Sequence, residues 1–391
     1  MLFSRKRIRW YAREWIAAAL CLTALGVAVG VFFSQSRPRR YRLSISGGNA
    51  QGLRHQIAER LAVEAVRHGL GMQIVPSSGS REVLDLVEAH TLDLAFVQGG
   101  LDPAIHPHVR QIAALHVEPL HLLVKPAVYQ SVSENLAALK GKTVNLGPAG
   151  SGTHDLSRDV LKFAGLEPSR AHGSGDYSVL TLSYGELLTT TDSAKLPDAI
   201  FTVSALPSPV VRALAVRWRY RLVPLLFGEA FALDALNRGA ADAPDAEPSS
   251  SSDVAKVSIY PAVIPPFTYG IEPPTPAREV ATFGPRLLMV ANENVPARAV
   301  RQILETVFSP PFAQISKPPL DASLLEISPE YPVHAGAEQY RELNKPLMAG
   351  DVIDLLEKGT SLAGAVLGAL FFLWQWMRQH FRRRRELGFE S

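Results

Sequence analysis

The chain has one cysteine, Cys21, among 391 residues. A lone thiol excludes an internal disulfide framework, and the bulky Leu20 before it does not fit the small residue that precedes the cysteine of a lipidated signal peptide. Histidines lack metal-ligand spacing: His55, His154 and His172 are scattered, so no metal is expected. Gly147 and Gly152 have the separation of a nucleotide P-loop, but Thr153 stands where that motif needs lysine, so a nucleoside triphosphate would lose its main counter-charge. Ser151 sits in Ala-Gly-Ser-Gly and not in Gly-x-Ser-x-Gly, which removes the nucleophile elbow of a serine hydrolase. No paired carboxylates and no cysteine-histidine arrangement stand out, so no enzyme and no cofactor are expected. Net charge is also small, +3, and much of the basic excess lies at the two ends. That leaves no footprint for nucleic acid.

Both ends carry an uncharged apolar run. Residues 16–33 hold no charge and no proline and follow Arg5, Lys6, Arg7, Arg9 and Arg13. Their length approaches that of a bilayer span, and the basic flank orients the N-terminus to the cytoplasm. A cleaved signal peptide ending near Ala28-Val29-Gly30 is the alternative. Residues 359–377 form the second run, with Asp351, Asp354 and Glu357 before it and Arg378 and Arg382 to Arg385 after it. The positive-inside rule makes that end cytoplasmic too, so the body between about 40 and 355 is expected outside the inner membrane. Trp10, Tyr11, Trp15, Trp374 and Trp376 suit an aromatic belt. Gly26 with Gly30, and Gly364 with Gly368, have the spacing that lets membrane helices approach closely, within one chain or in an oligomer.

The body has 47% hydrophobic and 20% charged residues over the whole chain, ordinary for globular packing. Short apolar strands alternate with helical patterns. "YRLSIS" precedes Leu53, Ile57, Leu61 and Ala65 at helical spacing, "GMQIV" precedes Val83, Leu84 and Val87, and "LDLAFVQ" follows. A second cluster begins near 139, with a strand at Thr143–Leu146 and a helix over Asp155–Gly165. "LPDAIFTVSALPSP", "RLVPLL" and "GPRLLMVANENVP" add further strands. Such alternation predicts an α/β fold of mainly parallel sheets covered by helices. The boundaries expected are 1–40 for the cytoplasmic segment and first anchor, 41–120 plus 296–350 for one lobe, and 121–295 for the other. Residues 359–377 would be the second anchor and 378–391 a basic cytoplasmic tail. A mobile loop is expected at 238–257, rich in Ala, Asp, Pro and Ser. "YPAVIPPFTYGIEPPTP" has too much proline for a regular central strand.

Four polar turns follow strand ends: Ser46-Gly47-Gly48-Asn49, Ser77-Ser78-Gly79-Ser80, Gln98-Gly99-Gly100 and Gly150-Ser151-Gly152-Thr153. Each alone is explained by helix capping. Together, at the carboxyl ends of parallel strands, they predict one cleft offering bare N–H groups to a small polar or anionic solute. Arg81 is a candidate partner for a ligand carboxylate.

"SGGNAQGL", "SSGSREVLDLVEAHTLDLAFVQ", "EPLHLLVKP", "LKGKTVNLGPAGSGT", "DAIFTVSALPSPVVRAL" and "HAGAEQYREL" resemble, in order and spacing, the TAXI-type solute-binding receptors of TRAP transporters. The resemblance covers roughly residues 43–345. It implies a two-lobed periplasmic binding protein fold, type II-like, here flanked by an N-terminal and a C-terminal transmembrane helix, with a TRAP permease as partner. It also implies hinge closure, read around His121–Val124 and Leu287–Val290. The ligand, an amino acid or dicarboxylate, would be held by Gly48, Asn49 and Gln51, by Ser78, Gly79 and Ser80, and by Gln98. Gly150, Ser151, Gly152 and Thr153 would add to it, with Ser204 and Leu206 from the second lobe. Where the family carries a Thr-Tyr-Tyr run, this chain has Asn49, Ala50 and Gln51. Typical members are free periplasmic proteins, so the two anchors also leave room for a membrane-tethered sensor or scaffold.

Overall fold

The computed structural model describes residues 40–169, 175–241, 259–344 and Gln375. The chain divides into two compact units, Met1–Tyr340 and Arg341–Ser391, and the account below concerns the first. Among the described residues no helix is long and apolar enough to cross a membrane. The expected spans at 16–33 and 359–377 lie outside the described residues, apart from Gln375, as do Cys21, His172 and both Gly-xxx-Gly pairs.

Twelve strands among the described residues form two five-stranded sheets and a ribbon. The first sheet holds β1 (Tyr41–Ser46), β2 (Leu70–Ile74), β3 (Leu94–Gln98), β4 (Val109–Val117) and β12 (Arg286–Asn292), in the order β2-β1-β3-β12-β4. The second holds β5 (Leu120–Val124), β6 (Thr143–Asn145), β7 (Ser178–Leu180), β8 (Ala199–Val203) and β9 (Arg221–Val223), ordered β7-β6-β8-β5-β9. Both follow one plan. The first three strands are parallel, and the fourth position is filled by an antiparallel strand that arrives from the other lobe.

This plan moves one expected lobe boundary, the one at 295, and leaves the one at 120 in place. Leu287–Val290 was read into the second lobe, yet β12 pairs with β3 and β4 of the first. Its run "LLMVA" is buried on both faces, so only a central strand position satisfies it. The chain therefore crosses between lobes at Val117–Leu120 and at Gly284–Arg286, and the segments read as hinges are interior strands. The two crossings touch: the Glu118 N–H donates to the Pro285 carbonyl at 2.9 Å. A Cβ on Gly284 would lie 2.0 Å from the Glu118 carbonyl oxygen, so only glycine allows this approach.

Helices cover both faces. α1 (Leu53–Ala65) and α6 (Ala297–Val307) bury Ile57, Leu61, Ile303 and Leu304 against Leu43, Ile45, Phe96 and Met289. α2 (Ser80–Glu88) packs Val83, Leu84 and Val87 on the alternate residues Ala95, Val97 and Val290. In the second lobe α3 (Gly152–Phe163) sets Leu156, Val160 and Leu161 against Leu122, Val144 and Phe201, while α5 (Pro209–Arg217) covers the other face through Val210, Val211 and Leu214. Each buried aliphatic side chain contributes about 1.5–3 kcal/mol.

Three local expectations change. α3 begins at Gly152, before the expected Asp155, because Ser151 caps it by accepting the His154 N–H at 3.2 Å. Tyr260–Ile264 forms β10, paired antiparallel with β11 (Val280–Gly284) in a two-stranded ribbon, where a proline can stand at an edge. Residues 238–241, placed in the loop, continue the helix Gly228–Ala241, and 242–257 lie outside the described residues.

His121, on β5, is fully buried. The neutral ring donates Nδ1–H to the Thr202 carbonyl at 3.3 Å and accepts the Tyr269 hydroxyl at 2.6 Å. Burial pushes its pKa down to about 4. The unfolded ring titrates near 6.5, so the unfolded chain takes up a proton first. Stability is fully present above about pH 6.5 and falls as pH drops from there to about 4, by up to about 3 kcal/mol. His116 and His334, also pushed down by burial, act in the same direction. Unfolding free energies from urea melts are expected to fall as pH drops from 7 to 4.5, with a shallower pH dependence for His121→Gln. Equal slopes for parent and variant would remove this role.

Candidate solute-binding cleft

The strand ends of both lobes face one another. Gln98 ends β3 and Val203 ends β8, and between them lies a cavity of about 60 Å³. The first glycine turn supplies Gly47, Gly48 and Asn49 to its wall, and the second Ser78, Gly79 and Ser80. From the facing lobe come Ser151, Gly152, Thr153, Val203 and Ser204. Gly48 takes φ +80°, a left-handed conformation suited to glycine, and its carbonyl accepts the Ser77 N–H at 3.0 Å. That bond ties the first turn to the second.

Three helix amino ends border the cavity. α1 and α2 are preceded by Gly52 and Gly79, neither of which can cap with a side chain. α3 has Ser151, which satisfies only the His154 N–H. The N–H groups of Leu53, Arg54, Ser80, Arg81, Gly152 and Thr153 have no acceptor among the described residues, as expected of first-turn donors. Each end carries about half a positive charge.

The lobes are closed on each other. A Cβ on Gly152 would lie 2.7 Å from Gln98 Cδ, and one on Gly79 would lie 3.1 Å from Ser151 Cβ. At the rim Arg81 Nε donates to Asp155 Oδ2 at 2.8 Å. Arg81, the sequence-based candidate for a ligand carboxylate, is thus a clasp between lobes. Asp155→Asn is expected to weaken solute binding about two- to fivefold, the worth of an exposed pair, with the difference vanishing at 1 M salt. Calorimetry at two ionic strengths reads it; a salt-independent loss would show that the pair does not act as a clasp.

The main polar feature of the wall was not legible beforehand. Arg54, in the first turn of α1, reaches Glu118 on the crossing. Its Nε lies 3.0 Å from Oε1 and 2.8 Å from Oε2, and its terminal nitrogens meet Glu118 Oε2 and Ser80 Oγ. Glu118 is 0% exposed. Burial opposes the Arg54 charge, but the facing carboxylate outweighs it and the guanidinium pKa is raised. Tyr184, at the start of α4 (Tyr184–Thr189), is the one aromatic side chain of the wall, held by a 2.7 Å bond to Thr202 Oγ1. It comes from the lobe opposite Asn49 and Ala50. The acidic residue between "HV" and "PL" was the available signal for Glu118: an acid set among apolar residues needs a partner.

Three candidates stand apart from the cavity wall. Gln51 is exposed and donates its N–H to Asn49 Oδ1 at 2.9 Å. Gly150 is an exposed turn residue with φ +75°. Leu206 lines a separate groove with Pro207, Arg212 and Val263, because the chain turns away from the cleft after Ser204. No group of three or more candidate metal ligands occurs among the described residues.

The model of the NMT1-like family matches residues 52–342. The chain belongs to the NMT1-like family. In this NMT1-like chain the match takes in both lobes and both crossings, and begins at Gly52, the residue before α1. A search of curated proteins finds no match. Among solved structures, a protein from Bordetella bronchiseptica RB50 is similar at 15% identity, covering 77% of this chain and 80% of that one, with TM-score 0.42. An ABC transporter periplasmic substrate-binding protein from Coxiella burnetii is similar at 15% identity, over 71% and 96%, with TM-score 0.37. An ancestral arginine-binding protein bound to arginine is similar at 13% identity, over 72% and 99%, with TM-score 0.38.

Proposed function

We propose that this NMT1-like chain is a non-enzymatic extracytoplasmic solute-binding protein of the TAXI type, which closes its two lobes on a small polar or anionic solute. It would serve a TRAP-type permease and be held at the inner membrane by residues 16–33 and 359–377. The observation that carries the reading is the cavity walled by both lobes, at the strand ends, with helix amino ends facing in. A solute bridging the halves stabilises the closed form by its differential affinity for it. No histidine or cysteine lines the wall to activate its serine and threonine hydroxyls, and its single carboxylate is engaged by Arg54.

The test is thermal shift and calorimetry on the purified full-length chain against amino acids, short carboxylates and neutral polar solutes. Saturable binding with a rise in Tm supports the reading. A folded chain that binds none of them refutes it. Protease protection in spheroplasts tests the topology: cleavage confined to the body between about 40 and 355 is expected.

A further inference from the structure

We infer that the groove beside the lobe crossings is a docking site for a partner protein, which enters it with an acidic segment whose carboxylates are interspersed with apolar residues. The surface is independent of the solute cleft. Of the residues that line the two, only Leu53 is common to both. Glu118 faces the cleft, whereas its neighbours Val117 and Pro119 line the groove.

The charge of the wall sets the sign of the partner. Arg60, Arg212, Arg217, Arg286 and Lys317 line it against a single carboxylate, Asp321. The whole chain nets only +3, so this excess is a local accumulation. None of these cations has a carboxylate partner among the described residues. Arg212, Arg217 and Arg286 donate to the Tyr269, Leu188 and Leu115 carbonyls at 3.2, 3.3 and 2.8 Å, which aims the guanidiniums without neutralising them. Asp321 is engaged in its own loop, where it accepts the Ser323 N–H at 2.8 Å. On α5, Arg212 and Arg217 stand about 7–8 Å apart along the helix axis. Several carboxylates along a chain match that spread better than one small anion.

Much of the remaining wall is apolar. Val216 and Val263 are 62% and 49% exposed and share it with Leu206 and Ile315. Exposed apolar surface among arginines is the composition of a protein interface. Pro207, Pro209, Pro318 and Pro319 have fixed φ, so these walls lose little freedom when filled.

Shape decides between occupants. The walls come from α1 and residues 314–324 of one lobe, residues 205–217 of the other, and β10. A bilayer surface is too flat to enter that concave space, and an isologous contact with a second copy would set positive against positive. The groove, about 1310 Å³, exceeds the roughly 300–1,000 Å³ of small-molecule sites. A polypeptide segment satisfies all three limits.

The experiment is fluorescence polarisation of the full-length chain in non-ionic detergent with a labelled synthetic peptide in which Asp and Glu alternate with Leu and Val. Its binding is expected to be at least tenfold tighter than that of the Asn and Gln twin, and to weaken as salt rises. A twin with Ser in place of Leu and Val should also bind less tightly. Arg212→Glu combined with Arg217→Glu should lower affinity at least tenfold at unchanged Tm, whereas Arg42→Glu with Lys162→Glu, exposed cations outside the groove, should not. Equal binding of the acidic and neutral peptides, or equal loss in both double variants, overturns the inference. So does displacement of the peptide by laurate or phosphatidylglycerol vesicles more readily than by free acidic peptide, or a dimer in light scattering that dissociates when peptide is added. Each of these failures leaves the cleft reading standing.

Discussion

Arg54→Met is expected to destabilise the folded chain by about 3–5 kcal/mol, the cost of leaving one half of a buried ion pair alone. Glu118 has no exposed surface, and three of its contacts come from Arg54. Without the guanidinium the carboxylate must either stay charged in a poor dielectric or take up a proton. The double variant Arg54→Met with Glu118→Leu is expected to regain most of the loss, because two apolar groups replace the pair without an orphaned charge. Denaturant melts of the two single variants and the double variant form a cycle. Strict additivity would mean that the pair is not coupled. The location adds a functional consequence: Glu118 lies on the crossing, beside Pro285 of the second crossing, and Arg54 begins a helix that borders the cavity.

Gly152→Val is expected to abolish tight binding while sparing the fold. A β-carbon there would sit 2.7 Å from Gln98 Cδ and 2.8 Å from its Nε2, so the larger side chain must push the Gln98 amide into the cavity or hold the lobes apart, and either outcome takes room from the solute. Gly152 is the first residue of α3, where valine is no worse a helix former than glycine. Each lobe keeps its own core, so Tm should change little. The solute would keep contacts from one lobe only, and affinity is expected to fall about a thousandfold, or ~4 kcal/mol. Calorimetry measures the first quantity, and small-angle scattering should report a more open particle. Unchanged affinity would mean that closure across Gly152 is not part of binding.

Much of the strand-helix alternation was legible because the residues declare their period. Ile57, Leu61 and Ala65 recur at helical spacing and are buried, and Val83, Leu84 and Val87 likewise. The glycine and hydroxyl turns were legible for a similar local reason: the residue before a helix favours Gly, Ser or Thr wherever it occurs. β4 was passed over. Its "VRQIAALHV" carries a helix-like Ile-Ala-Ala-Leu run, and pairing along β12 overrides that local preference. The lobe boundary near 295 was misjudged because "RLLMVAN" follows proline-rich sequence of the second lobe. Periodicity says that a segment is a buried strand, but not which sheet receives it.

Residue types and their spacing thus determined the α/β class, the helix faces and the amino-end turns, since each depends on neighbours a few positions away. Tertiary structure decided what depends on distant partners. It set which strand crosses to which sheet, joined Arg54 to Glu118 over 64 positions, and turned Arg81 from a free cation into the partner of Asp155. It also brought Gln98 against Gly152, where the two lobes meet. The physical reason is range: periodicity and capping act within a few residues, whereas charge pairing and cavity shape arise only when the chain has folded back on itself.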